Sequence, residues 1–258
     1  MQIRVLGCHG SQIPGYNTTS FLIDGHTLID AGTITSVLTA EEQLKIDYIF
    51  VTHAHLDHVR DIMFLADNIC FLKKNHPLMV FSTAEIIETL RYYFFNDVVW
   101  PDFTRIPDAV NPVLKFMALK QGQPVALNGL EIVAIRVHHT VETVGYVVKA
   151  QEGAAIFIGD TGPTEEIWQT ARETKGLRAI FVETSLPDEM QELADKTGHL
   201  TPAHLAGELQ KLEGLAASIY LYHMKLHSRE VITQEVARLN NRHIHTLEDG
   251  QILHIGPL

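Results

Sequence analysis

The sequence predicts an α/β (α+β) protein of two mixed sheets with helices on their outer faces. Three observations predict it. Apolar runs of strand length open the chain and recur in its second half, helical stretches are interleaved with them, and no Pro/Gly/Ser-rich linker divides the 258 residues. One domain spanning 1–258 is therefore expected. A chain of this length buries a core without help from disulfides. Its two cysteines, Cys8 and Cys70, exclude a disulfide-rich module and a four-cysteine zinc ribbon, and read as reduced structural thiols. Hydrophobic content of 46% with 20% charge excludes general disorder. No apolar run approaches the roughly 20 residues of a membrane span. The start, Met1 to Gly7, reads as a strand and not a signal peptide, so a cytoplasmic location is expected. A net charge of −11 argues against electrostatic adhesion to nucleic acid or anionic lipid. It leaves an anionic substrate open, because bound cations would reverse the charge locally.

Taken in order, Gln2–Gly7, Ser20–Asp24 and Thr27–Asp30 are extended, the last two joined by a turn at Gly25-His26. A helix is expected over Thr35–Leu44. Tyr48–Thr52 has the short apolar run of a buried strand, and its end delivers His53. Helices are expected over Val59–Asn68 and Thr83–Phe95, with a strand at Leu78–Ser82 between them. Tyr92, Tyr93, Phe94 and Phe95 suit a core or a dimer face. Three prolines in Asn96–Pro112 bar a continuous helix, leaving a lid or a long connection. Strands follow at Val113–Leu119, Leu130–Val137, Val144–Ala150 and Ala154–Ile158, with Asn128-Gly129 and Glu152-Gly153 as turns. The last third alternates strands (Arg178–Val182, Ser218–Tyr222, Gln251–Ile255) with helices (Thr164–Thr174, Thr201–Leu212, Arg229–Leu239).

The chain carries 15 histidines, and the decisive cluster is Thr52-His53-Ala54-His55-Leu56-Asp57-His58. Neutral imidazoles suit zinc and similar transition ions, and a carboxylate adds a harder donor. On extended backbone His53 and His55 share a face. Asp57 and His58 lie past the bend and can address a neighbouring ion. The other reading is a histidine-rich surface loop or helix cap. Further donors follow other apolar strands: Val137-His138-His139, Ile158-Gly159-Asp160-Thr161-Gly162 and Tyr222-His223-Met224.

With these motifs in their order, the chain resembles the metallo-β-lactamase superfamily. Gly7–Gly15, Thr18–Asp24, Leu28–Gly32, His139–Tyr146, Gly159–Pro163 and Tyr222–Lys225 resemble its phosphodiesterase branch. That branch holds tRNase Z-like proteins and the class II 3′,5′-cyclic nucleotide phosphodiesterases. Gly198-His199-Leu200-Thr201-Pro202, after Glu183-Thr184-Ser185, favours the cyclic nucleotide enzymes. The resemblance covers nearly the whole chain. It departs from the class II signature at Asp61, Phe64 and Ala66-Asp67, on the helix behind the motif, and shows no tRNA-gripping arm.

The resemblance implies a four-layer αββα sandwich and two divalent transition-metal ions per chain, zinc foremost and manganese or iron otherwise. His53, His55 and His139 would bind one ion, Asp57, His58 and His223 the other, and Asp160 would bridge. His138 competes with His139, which the match favours. His199 would touch substrate phosphate or donate a proton, and Lys225 would neutralise phosphate. Glu183 and Asp30 are either orienting partners of ligand imidazoles or buried caps. The implied activity is hydrolysis of a cyclic nucleotide or another small phosphodiester, with Asp57 and His199 catalytic. A homodimer is implied, and neither membrane nor nucleic acid is the expected partner. Two other functions are weighed. One keeps the fold for a tRNA 3′-processing nuclease or a lactone or β-lactam hydrolase. The other is a metal-binding sensor without catalysis, which a complete ligand set disfavours.

Overall fold

The computed structural model describes residues 1–72, 76–212, 214 and 216–256. Its strands form two seven-stranded sheets. The first contains β1 (Gln2–Gly7), β2 (Ser20–Ile23), β3 (Thr27–Ile29), β4 (Tyr48–Phe50), β5 (Leu78–Thr83) and β6 (Leu114–Leu119). The second contains β7 (Pro124–Leu127), β8 (Leu130–Arg136), β9 (Val144–Ala150), β10 (Gly153–Phe157), β11 (Leu177–Glu183), β12 (Ser218–Tyr222) and β13 (Ile244–Thr246). A last strand, β14 (Ile252–His254), returns to pair with β1. The two sheets follow one plan. Pairings from β14 through β3 are antiparallel and those from β3 to β6 parallel. Likewise β7 to β10 pair antiparallel and β10 to β13 parallel.

The period of two along each strand divides the core into layers. On β11, Ala179 and Phe181 enter the layer between the sheets, while Ile180 and Val182 pack on the other face. The inner layer is aromatic. Phe21 lies 5.3 Å from Phe157, Phe181 and Tyr222, and Phe157 stacks on Phe181 at 4.4 Å. Each such pair adds about 0.5–1.5 kcal/mol beyond its burial. Tyr146 on β9 donates its hydroxyl to the Val51 carbonyl at 2.6 Å, fixing the second sheet to the end of β4 just before the histidine motif.

Helices α2 (Leu56–Phe71) and α3 (Ala84–Tyr93) pack on the first sheet. Helices α4 (Glu166–Glu173), α6 (Pro202–Gln210) and α7 (Arg229–Arg238) pack on the second. This is the expected four-layer arrangement. Two short helices complete the set among the described residues, α1 (Ala40–Gln43) and α5 (Gln191–Thr197).

Several expectations need correction. The helix expected over Thr35–Leu44 shrinks to α1, capped by Thr39 with Glu42 closing a reciprocal capping box. Its first turns do not form because Asp61 captures the backbone: its Oδ2 accepts from the amides of Ile34 and Thr35 and from the Thr35 hydroxyl. The departure at Asp61 is thus a structural stitch for the loop before α1. Helix α2 starts three residues before the expected Val59, so Asp57 and His58 sit in its first turn. β7, β13 and α5 were not expected. The segment 96–112 proves to be a connection. Trp100 donates to the Met63 carbonyl at 3.1 Å, Phe103 is buried, and Arg105 is tied to Asp97 and Asp102. The aromatic run divides, with Phe95 in the core and Tyr92 and Tyr93 exposed.

Candidate metal centre

The ends of β3, β4, β10, β11 and β12 bring Asp30, His53, Asp160, Glu183 and His223 to one rim. The turn after β8 adds His139, and the start of α2 adds His55, Asp57 and His58. Donor atoms of His53, His55 and His139 lie within 4.8 Å of one another, as do those of Asp57, His58 and His223. Asp160 stands between the two trios. Its carboxylate is 3.8 Å from His53, 3.5 Å from His58 and 3.3 Å from His223. His138 is exposed and turns away, so the structure brings His139 into the group and leaves His138 outside.

The orientation of each imidazole follows from the partner of its other nitrogen. His139 Nδ1 donates to the Gly198 carbonyl at 2.8 Å, an acceptor only, which turns the Nε2 lone pair inward. His58 Nδ1 donates to Asp30 at 2.8 Å. His223 Nδ1 meets the Ser185 hydroxyl at 2.8 Å, and that hydroxyl donates onward to Glu183 at 2.8 Å. His53 Nδ1 meets Thr52 Oγ1 at 3.0 Å, whose proton goes to Asp30 at 2.9 Å. In these four rings Nε2 faces the rim. Ser185 and Thr52 were missed in the sequence, since only the fold shows that they face the rings.

Two close approaches require glycine. A Cβ at Gly198 would lie 2.9 Å from His139 Nδ1, and at Gly10 it would lie 2.4 Å from the His223 carbonyl. Asp30 and His223 themselves hold left-handed backbone, φ +58° and +65°, a strain of about 1–3 kcal/mol each that their hydrogen bonds hold in place.

The donor set fits divalent ions on internal evidence. Among the described residues His53 Nε2 and Asp160 Oδ1 are fully buried without a hydrogen-bond partner. Leaving such a group unpaired costs about 1–3 kcal/mol. Burial holds the His53 imidazole well below its usual range, with His58 adding to the effect. Burial also lowers His55, with His139 adding to the effect, and lowers His139, each against the pull of Asp160. Burial penalises the Asp160 charge, but His223 and His58 hold its pKa well below the carboxylate range. Neutral imidazoles and ionised carboxylates are the forms that bind metal. His58 is the exception: burial opposes its charge, but Asp160 and Asp30 raise it well above the usual imidazole range, and an ion there would displace its proton.

His199 differs. It follows Gly198 and precedes α6, whose N-cap is Thr201. Its Nδ1 pairs with Glu183 at 2.8 Å, and it lies 3.9 Å from Asp160. Burial opposes its charge, yet Glu183 and then Asp160 raise its pKa to about 9. Lys225 is half-buried, and its ammonium donates to the Gly10 carbonyl at 2.7 Å. A cavity of about 780 Å³ opens beside His55 and His139, lined also by Ala54, Arg136, His138 and Glu142. Small-molecule sites span about 300–1,000 Å³.

Fold and donor set together define a metallo-β-lactamase-type hydrolase domain, and this fold implies divalent metal ions. The chain belongs to the β-lactamase superfamily domain family, whose model matches residues 26–224. It is 25% identical over 224 residues to the "Probable 3′,5′-cyclic-nucleotide phosphodiesterase" of Yersinia pestis, covering 79% of this chain and 62% of that protein. The 3′,5′-cyclic-nucleotide phosphodiesterase of Aliivibrio fischeri is 26% identical over 256 residues, covering 81% of this chain and 74% of that protein. Ribonuclease Z of Archaeoglobus fulgidus is 29% identical over 119 residues, 45% of this chain and 35% of that protein. Among solved structures, unliganded yeast PDE1 superposes with a TM-score of 0.82 at 19% identity, over 97% of this chain and 98% of that one. Among the described residues no helix is long and apolar enough to cross a membrane.

Proposed function

We propose that this chain hydrolyses 3′,5′-cyclic nucleotides to 5′-nucleotides at a centre of two divalent ions, zinc being the ion expected. The observation that carries the reading is the pair of donor trios with Asp160 between them. The two curated relatives named as cyclic-nucleotide phosphodiesterases support the substrate class.

In this reading His53, His55 and His139 would hold one ion and Asp57, His58 and His223 the other, with Asp160 available to both. Bound there, the ions supply Lewis acidity toward phosphoryl oxygens and lower the pKa of water to about 7. The chain does the rest. Asp30, Thr52, Ser185 and the Gly198 carbonyl fix the ring orientations. His199, held by Glu183, would hand a proton to the departing ribose oxygen. Lys225, anchored by one hydrogen bond, is placed to offer its charge to phosphate. The cavity beside His55 and His139 takes the nucleoside.

A tRNA-processing nuclease is disfavoured by charge. In the segment 96–112 the basic residue is Arg105, which two aspartates neutralise. The reading also includes a homodimer, for which the exposed Tyr92 and Tyr93 supply an apolar face.

The test is hydrolysis of cyclic AMP, cyclic GMP and a bis-aryl phosphodiester reporter, each with and without chelator. Chelator-sensitive turnover of a cyclic nucleotide is expected. Turnover of the reporter alone would overturn the cyclic nucleotide assignment, and turnover insensitive to chelator would overturn the metal centre.

A further inference from the structure

We propose a separate zinc site formed by Cys8, His9 and Asp249, which ties the start of the chain to the segment after β13. It shares no donor with the centre above and does not depend on the reaction proposed there.

The geometry carries the inference. Cys8 Sγ lies 3.7 Å from His9 Nε2 and 3.3 Å from Asp249 Oδ1, and His9 Nε2 lies 3.5 Å from Asp249 Oδ1. A tetrahedral zinc ion sits about 2.3 Å from sulfur and about 2.0 Å from nitrogen or oxygen, which places its ligands about 3.3–3.6 Å apart. All three edges agree with that figure to within about 0.2 Å. The donors therefore already occupy three corners of a zinc tetrahedron.

The surroundings hold them there. Asp249 Oδ1 accepts from the Cys8 amide at 3.0 Å, and its Oδ2 accepts from the Asn17 amide at 2.8 Å. The His9 ring rests edge-on against Tyr16, 5.0 Å away. Such outside bonds orient a carboxylate or imidazole for an ion. The charges also balance, since one thiolate, one carboxylate and one neutral imidazole cancel a dication. Cys8 and His9 are 2% and 3% exposed, where a neutral assembly costs least. Asp249 retains 17% side-chain exposure, which opens the fourth corner to a water ligand. On binding, the Cys8 S–H bond breaks, its proton passes to solvent, and the electron pair left on sulfur forms the bond to zinc.

The site would brace the turn that delivers His223. The Cys8 carbonyl accepts from the His223 amide at 2.7 Å, and the Gly10 amide donates to the Met224 carbonyl at 3.2 Å. Without an ion the Cys8 thiol donates to Asp249 Oδ1, and a purely hydrogen-bonded trio is the competing account.

Cobalt(II) titration of the full chain decides between them. Thiolate bound to cobalt gives a near-ultraviolet charge-transfer band, and the donors of the main centre are all nitrogen or oxygen. Titration to three equivalents per chain should produce the band, and Asp160→Ala should retain it. Cys8→Ser, whose hydroxyl can still donate to Asp249, should abolish it. His9→Ala, which removes a ring and no backbone bond, should also abolish it. No band at three equivalents per chain, with the fold intact by circular dichroism, would reduce the trio to hydrogen bonding. A band that survives Cys8→Ser but not Cys70→Ser would assign the thiolate elsewhere.

Discussion

One partner atom decides what each imidazole of the rim can do. A carbonyl or a hydroxyl committed to a carboxylate leaves a lone pair for an ion, whereas a carboxylate partner, Glu183 for His199 and Asp30 for His58, favours the protonated ring. His199→Ala should therefore keep the metal and lose turnover of a cyclic nucleotide by about 10²–10⁴-fold. The loss should shrink for a nitrophenyl ester, whose leaving group needs no proton. Steady-state kinetics on both substrates checks this, and equal losses would remove His199 from proton transfer. His139→Ala should cost far more metal and activity than His138→Ala, because the second ring is exposed and lies outside the donor group. Metal analysis of the two variants ranks them. Asp61→Ala leaves two backbone amides without their acceptor and should destabilise the chain by about 1–3 kcal/mol, read by urea unfolding. Metal content should be unchanged.

What was legible in the sequence follows burial. β4, β10, β11 and β12 are apolar runs buried on both faces, so their ends, and the donors after them, could be read directly. β7 begins with an exposed proline on a sheet edge, β13 is three residues long with His245 exposed between two half-covered neighbours, and α5 buries Ala194 alone, so periodicity gives no signal there. The length of α1 was misread because the competitor for its backbone, Asp61, lies 26 residues away from Thr35. The same limit hides the Cys8–Asp249 contact, whose partners stand 241 residues apart. Glu183 and Asp30 could be noted as strand-end carboxylates, but which rings they face is set by how the strands lie side by side. At this scale Glu183→Gln should lower turnover while leaving metal content unchanged. Among the described residues Glu183 reaches His223, the proposed ligand, through Ser185, and glutamine can still accept from that hydroxyl.

Across the whole molecule the metal inventory separates two populations. Asp160→Ala should remove the ions of the main centre and abolish hydrolysis, while the ion assigned to Cys8 stays bound; elemental analysis of parent and variant gives the difference. Full activity in thoroughly metal-free protein would end the dinuclear reading. The homodimer is tested by Tyr92→Glu with Tyr93→Glu, both on the exposed end of α3, which should give monomers by light scattering without loss of metal.

The hydroxyl of Tyr146, which reaches across the core to the backbone before the histidine motif, marks a wider dependence. Four of the seven donors belong to one sheet and three to the other. His53, His55, Asp57 and His58 follow β4, whereas His139, Asp160 and His223 follow strands of the second sheet. An ion held by both halves is a latch, and its occupancy is a linked equilibrium with the docking of the sheets. A ligand at about 100 times its Kd adds about 2.7 kcal/mol to the folded state. For a chain of about this size, each kcal/mol moves Tm by about 2–4 °C. A chelator should thus lower the melting temperature in a concentration-dependent way. Tyr146→Phe, which removes only the hydroxyl, should weaken metal retention although it touches no donor atom.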